Sequence, residues 1–179
     1  MQQLQLDDLK GFIDYTKGLA LTDTFWINQD GRFRWQDINL FEHDFDETIA
    51  RIAFDGGMYG DTLSTTSPEF TTDGAFAKCW VKADGQITLL KKGSEGGVNT
   101  GLEPYSEQYG ADLLQALGVP HVPYEVVRYH GSLVCQCPLM TSPQEMLVPM
   151  SRCVAKPLIA NILAFAREHG FDRALARCV

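Results

Sequence analysis

Lys91 closes the run Ile87-Thr88-Leu89-Leu90-Lys91, and Glu107 follows within EPYSEQYGADLLQAL. An ammonium on a flexible four-carbon stem is a point charge that reaches between phosphate oxygens. A carboxylate opposite it, carried on a helix, aims it through a charge-assisted hydrogen bond. Upstream lies Thr71-Thr72-Asp73-Gly74-Ala75-Phe76-Ala77-Lys78, where Gly74 frees backbone N–H groups to face an anion and the two threonines add hydroxyl donors. A covering turn, a strand lysine and a helix glutamate, in that order, make half of a phosphoryl-transfer site. The other half needs a base and oxygen ligands for magnesium, yet after this helix the carboxylate side chains are Glu125, Glu145, Glu168 and Asp172 alone. Plainer readings stand beside each feature: Glu107 as a surface residue of an amphipathic helix, Gly74 as an ordinary turn, and GSEGGVNTG (93–101) as a linker and not a flap over a ligand.

The elements that must position these groups follow from periodicity. FAKCWVK and QITLLKK flank Ala83-Asp84-Gly85, and YEVVRY and SLVCQCPLM flank His130-Gly131, so each pair predicts an antiparallel hairpin. A helix is predicted from about Pro104 to Leu117, with proline in the first turn and Gly118 past the end. Glu107 shares a face with Ala111 and Leu114, while Tyr105, Tyr109, Leu113 and Leu117 form another stripe. Gly110 and Ala111 are small enough for helix and sheet to approach closely. A short helix is expected after Asp7 or Asp8, a hairpin or compact loop around Asp30-Gly31, and a helix over about Asp44 to Phe54. The Gly, Ser and Thr-rich stretch after Phe54 reads as a loop, and Pro157 to His169 as a helix. Three segments result: an N-terminal helical and hairpin part (1–66), the strand-and-helix region (67–145) and a helical extension (146–179).

The chain has 179 residues, 45% of them hydrophobic, and a formal charge of -8, enough for one core with a satellite lobe and unfavourable for nucleic acid or anionic lipid. From Glu42 to Asp73 acidic side chains far outnumber the single base Arg51, a solvated face or a docking surface for a basic partner. The five cysteines show no framework spacing, which suits a reducing compartment. Cys135 and Cys137 alternate onto one strand face and read as core thiols, since no second pair at ligand spacing completes a metal site. MQQLQLDDLK lacks the basic and apolar regions of a leader, and no apolar run approaches ~18 residues. A cytoplasmic location without membrane contact is expected.

Over roughly residues 18 to 145 the chain resembles the HipA-like kinases, the bacterial toxin-type Ser/Thr kinases of toxin-antitoxin systems and their relatives. The stretches that carry the likeness are GLALTDTFW, WQDINLFEHDFDETIARIAF, TSPEFTTDGAFAKCW, ITLLKKGS, NTGLEPYSEQYGADLLQALGV and LVCQCPLMTS. The resemblance implies an α+β, protein-kinase-like N-lobe: an antiparallel sheet packed on one main helix, with helical segments at either end. It implies ATP with Mg2+, bound by Thr72, Asp73, Gly74, Ala75 and Lys78 of the covering loop, by Lys91 and its partner Glu107, and by Leu139 and Met140 where the family's hinge holds adenine. The family's catalytic loop, its metal-binding Asn and its later metal-binding Asp have no counterpart; His169-Gly170-Phe171-Asp172 is a poor substitute. The expectation is therefore a truncated kinase, an ATP-binding lobe inactive alone and without metal ligands, completed by a separately encoded C-lobe or another protein. The alternative is a non-catalytic interaction module derived from such a lobe.

Overall fold

The computed structural model describes residues 9–29, 31–56, 67–72, 76–96 and 100–148, with positions 160, 161, 164 and 168. The chain divides into two units, Met1–Met146 and Leu147–Val179. In the second, Ala160, Asn161, Ala164 and Glu168 are helical and exposed; the rest of the expected Pro157–His169 helix lies outside the described residues.

The first unit is mixed α/β, with a four-stranded antiparallel sheet and several helices. Strands β1 (Lys78–Ala83) and β2 (Gln86–Lys92) turn through Asp84-Gly85, at φ of 51° and 76°. Strands β3 (Glu125–Tyr129) and β4 (Ser132–Pro138) turn through His130-Gly131, at 46° and 79°. Two consecutive positive φ angles are what a two-residue type I′ turn demands, and its twist matches that of the flanking strands. Both hairpins form where the alternation places them. They join through β2 and β4, also antiparallel, in the order β1-β2-β4-β3.

The helices are α1 (Leu9–Thr16), α2 (Trp35–Ile38), α3 (Glu47–Asp55) and α4 (Glu103–Ala116). The expected start of α3 at Asp44 moves to Glu47 because Asp46 caps the helix, its Oδ1 accepting the Thr48 and Ile49 N–H groups at 2.8 and 3.2 Å. Around Gly31 the compact loop forms, not a hairpin: no strand runs through the described residues there, and Asn28 Nδ2 closes the loop by donating to the Phe33 carbonyl at 2.7 Å.

Helices lie against both faces of the sheet, so the single packing helix of the expectation is corrected to two. On one face Ala50 and Phe54 of α3 pack with Cys79, Leu90 and Val134. The i, i+4 spacing of that pair supplies the apolar stripe, and Phe54 meets the Tyr129 ring edge-on at 5.2 Å. On the other face Leu19, Leu21, Ile38 and Leu40 cover Trp80 and Ile87. Helix α4 lies beyond them, beside the end of β2 where Lys91 emerges.

β1 is an outer strand, and its outward Trp80 N–H donates to Glu69 Oε1 at 2.9 Å. Glu69 belongs to a 3₁₀ turn, Pro68–Thr71, and its other oxygen accepts the buried Ser67 hydroxyl. Burial pushes the Glu69 carboxyl above the ordinary carboxylate range, although the bonds from Ser67 and Trp80 pull it down. A raised folded-state pKa means that the folded chain holds this proton more tightly than the unfolded chain, so its contribution is complete at low pH and fades as pH rises through the folded value. Denaturation across pH 4 to 7 is expected to show that component as a decline toward neutrality, absent in Glu69→Gln, which keeps an acceptor for Trp80 but cannot titrate. Phe54, only 1% exposed, sets the second expectation: Phe54→Ala should cost about 3–5 kcal/mol of unfolding free energy in urea.

Candidate functional site

Alternation along β2 puts Lys91 on the face that carries Ile87 and Leu89, and α4 brings Glu107 to it. The Lys91 ammonium donates to Glu107 Oε1 at 2.5 Å and to the Tyr124 hydroxyl at 3.3 Å, and stands 4.7 Å from the Tyr124 ring centroid. Desolvation of the half-buried amine works against its charge, but the bonds from Glu107 and Tyr124 more than offset it and leave the pKa above the ordinary lysine value. The ammonium is thus held charged and fixed in direction. Among the described residues two of its three N–H donors have partners, Glu107 and Tyr124.

Helix α4 is itself held by side chains. Gln108 Oε1 accepts the Val126 N–H at 2.9 Å on the outer strand β3. Glu103, in the first turn, accepts the Ser94 N–H at 3.1 Å and the Ser94 hydroxyl, bonds that keep its carboxyl below the ordinary range. Gly93 is required beside them, because a Cβ there would stand 2.8 Å from Gly101 Cα and 2.9 Å from Glu103 Oε2. The described ends of segment 93–101 are therefore pinned to the start of α4. Ala111 is buried against the sheet as expected, but Gly110 is not: it lies exposed on the outer side, with open space where a Cβ would be.

The other anticipated residues are distributed as follows. Asp73, Gly74 and Ala75 lie outside the described residues. Lys78 pairs with Lys91 across β1 and β2 on the same sheet face. Lys92 N–H donates to the Ala77 carbonyl at 2.9 Å, which makes Lys78 and Lys91 a non-hydrogen-bonded pair, the closer kind. Thr72 is engaged structurally: its hydroxyl donates to the Pro68 carbonyl at 2.7 Å and accepts the Trp80 indole N–H at 2.8 Å. Leu139 N–H extends the ladder to the Ile87 carbonyl at 2.8 Å, and its side chain packs with the core cluster; Met140 is 53% exposed.

Cys135 and Cys137 are buried free thiols on the Lys91 face, paired in register with Lys91 and Leu89. Burial pushes both up, Cys135 to about 11. Among the described residues no three His, Cys, Asp or Glu side chains gather to hold a metal ion, and no helix is long and apolar enough to cross a membrane. A hollow of about 520 Å3 is bordered by Phe54, Phe76, Ala77, Lys92 and Ser94. It takes Lys92, which points away from the Lys91 face, so the described end of the covering turn borders a different space from the lysine–glutamate pair.

Tyr124, Gln108 and the Ser94–Glu103 tie are not singled out by the sequence. The one signal for Tyr124 is its place immediately before a strand whose neighbour ends in cysteines of the Lys91 face; nothing in spacing marks it as a lysine partner. Compared with protein-family models, with curated proteins and with solved structures, the chain has no match in any of the three.

Because the Glu107 side chain is 42% exposed, the pair is worth no more than about 1 kcal/mol to folding. Its larger effect is on the lysine. Glu107→Gln should leave the unfolding midpoint almost unchanged while the Lys91 ammonium, followed by NMR titration, moves to lower pKa as desolvation is left less compensated. An unchanged titration would show that the carboxylate does not hold the amine.

Proposed function

We propose that this chain is the nucleotide-binding lobe of a HipA-like Ser/Thr kinase, gripping the phosphates of ATP with Lys91 aimed by Glu107. The observation that carries the reading is the 2.5 Å contact between those two groups, one on a strand and one on the helix that follows. Protein kinases place a phosphate-binding lysine and its glutamate in that relation. Tyr124 adds a second polar hold, and Lys78 a second cation on the same face. Ile87 and Leu139 are taken up by the apolar layer on this face, so in this reading the adenine lies past the end of the ladder, beside the exposed Met140.

Magnesium does not fit the described residues, which gather no set of carboxylates for it. Much of the barrier reduction in phosphoryl transfer comes from metal and positioned charge. Phosphotransfer by this polypeptide alone is accordingly negligible in this reading, and the base and metal ligands are contributed by a C-lobe or another protein.

Thermal unfolding with ATP tests the reading. A ligand that binds the native state adds RT ln(1 + [L]/Kd), about 2.7 kcal/mol at a hundredfold excess over Kd. A rise in Tm with ATP that is lost in Lys91→Met is expected; no rise, or an equal rise in the variant, would sink it. The second reading, a non-catalytic interaction module, is favoured by the exposed apolar side chains of α4, Tyr105, Tyr109 and Leu113, and predicts no nucleotide effect.

A further inference from the structure

Helix α4 meets the sheet with Pro104 and Ala111, and at 100° per residue the opposite side carries Leu102, Tyr105, Tyr109, Leu113 and Leu117. All five are open: Tyr109 is 77% exposed, Leu117 66%, and the other three a little over half. A helix that is apolar on its outer as well as its inner side is normally covered on both. With aromatic side chains presenting ~150–250 Å2 each, the stripe and its neighbour Val119 expose several hundred Å2, the upper part of the range of about 300–600 Å2 for the largest apolar patch of a monomer and comparable with the ~800 Å2 that each partner buries in a stable standard interface.

Gly110 gives an independent pointer. A glycine inside a helix weakens it relative to alanine, and nothing among the described residues requires one here, because a Cβ would meet open space. Beside Ser106 on the outer side, it leaves a shallow place where another backbone can come close. The stripe also has a two-fold pattern, with tyrosines at 105 and 109 and leucines at 113 and 117. Run antiparallel against itself, it sets each Tyr109 against the other copy's Leu113 and each Tyr105 against Leu117, with the helix dipoles opposed.

Charge favours a like partner over a charged one. The stripe carries no Asp, Glu, Lys, Arg or His side chain, so the contact itself buries no charge; the net charge of -8 on each copy opposes association and is screened over about 8 Å at physiological salt. Of the helix's carboxylates, Glu103 and Glu107 are engaged by Ser94 and Lys91, which leaves Asp112 as little to select a basic segment.

We propose that two copies of this chain associate through the outer side of α4, packed antiparallel about a two-fold axis between Tyr109 and Leu113. The proposal stands apart from the nucleotide reading. Sedimentation of the whole chain up to roughly 100 μM, well above the micromolar weak end for interfaces of standard size, should show a species of twice the chain mass. Tyr109→Glu and Leu113→Lys, both at exposed positions and each checked for unchanged circular dichroism, should each be monomeric. Mixed one to one they should recover the dimer, since the carboxylate introduced at position 109 of one copy then meets the ammonium introduced at position 113 of the other. A monomer at every concentration would give the face to another occupant and overturn the proposal. A dimer that survives either substitution, or a mixture that stays monomeric, would overturn it as well.

Discussion

Strand β2 has to serve two apolar layers at once. Ile87 and Leu89 turn toward the layer of Leu19, Leu21, Ile38 and Leu40, while Leu90 turns toward Phe54 and Val134 on the other side. Because side chains alternate with a period of two, a slip of one residue would send Leu90 into the first layer and expose its place in the second. The same slip would exchange Lys91 with Lys92. The aim of the candidate lysine is therefore a by-product of hydrophobic register: burying Leu90 at 4% exposure and Ile87 at 9% settles which of two adjacent lysines faces α4.

The glutamate is held less firmly. α4 offers the sheet little more than Pro104 and Ala111 as buried surface, and its position depends on polar ties, Gln108 to β3 and Glu103 to Ser94. Such bonds contribute about 1 kcal/mol each. The lysine thus stands on the rigid part of the unit and its partner on a helix attached mainly by side-chain bonds, an arrangement in which covering the outer side of the helix would steady the inner one.

Those parts of the fold governed by local chemistry are legible in the sequence. Asp84-Gly85 and His130-Gly131 announce their turns, the alternating strands beside them follow, and the helix bearing Glu107 is marked by Pro104 and Gly118. The pairing of β2 with β4 is a long-range choice that no local pattern encodes, and the Tyr124 contact depends on it. Asp46 outcompetes the expected start at Asp44 because a cap is decided by which side chain reaches two amides. Size alone suggests the sheet side for Gly110, whereas the helical phase fixed by Ala111 turns it outward. Lys91 and Glu107, marked in the sequence as a strand lysine and a glutamate on the helix that follows, meet in the structure.

Both outer strands of the sheet have an outward amide already occupied by a side chain, Trp80 by Glu69 and Val126 by Gln108. An unoccupied row of strand amides is a template on which another chain can add itself, and repeated addition builds fibres. Here an arriving strand would have to evict a carboxylate at one border and a carboxamide at the other before it could dock. One outward amide on each border is thus taken, at the cost of one half-buried acid, and growth through the borders is discouraged by the same residues that hold them in place.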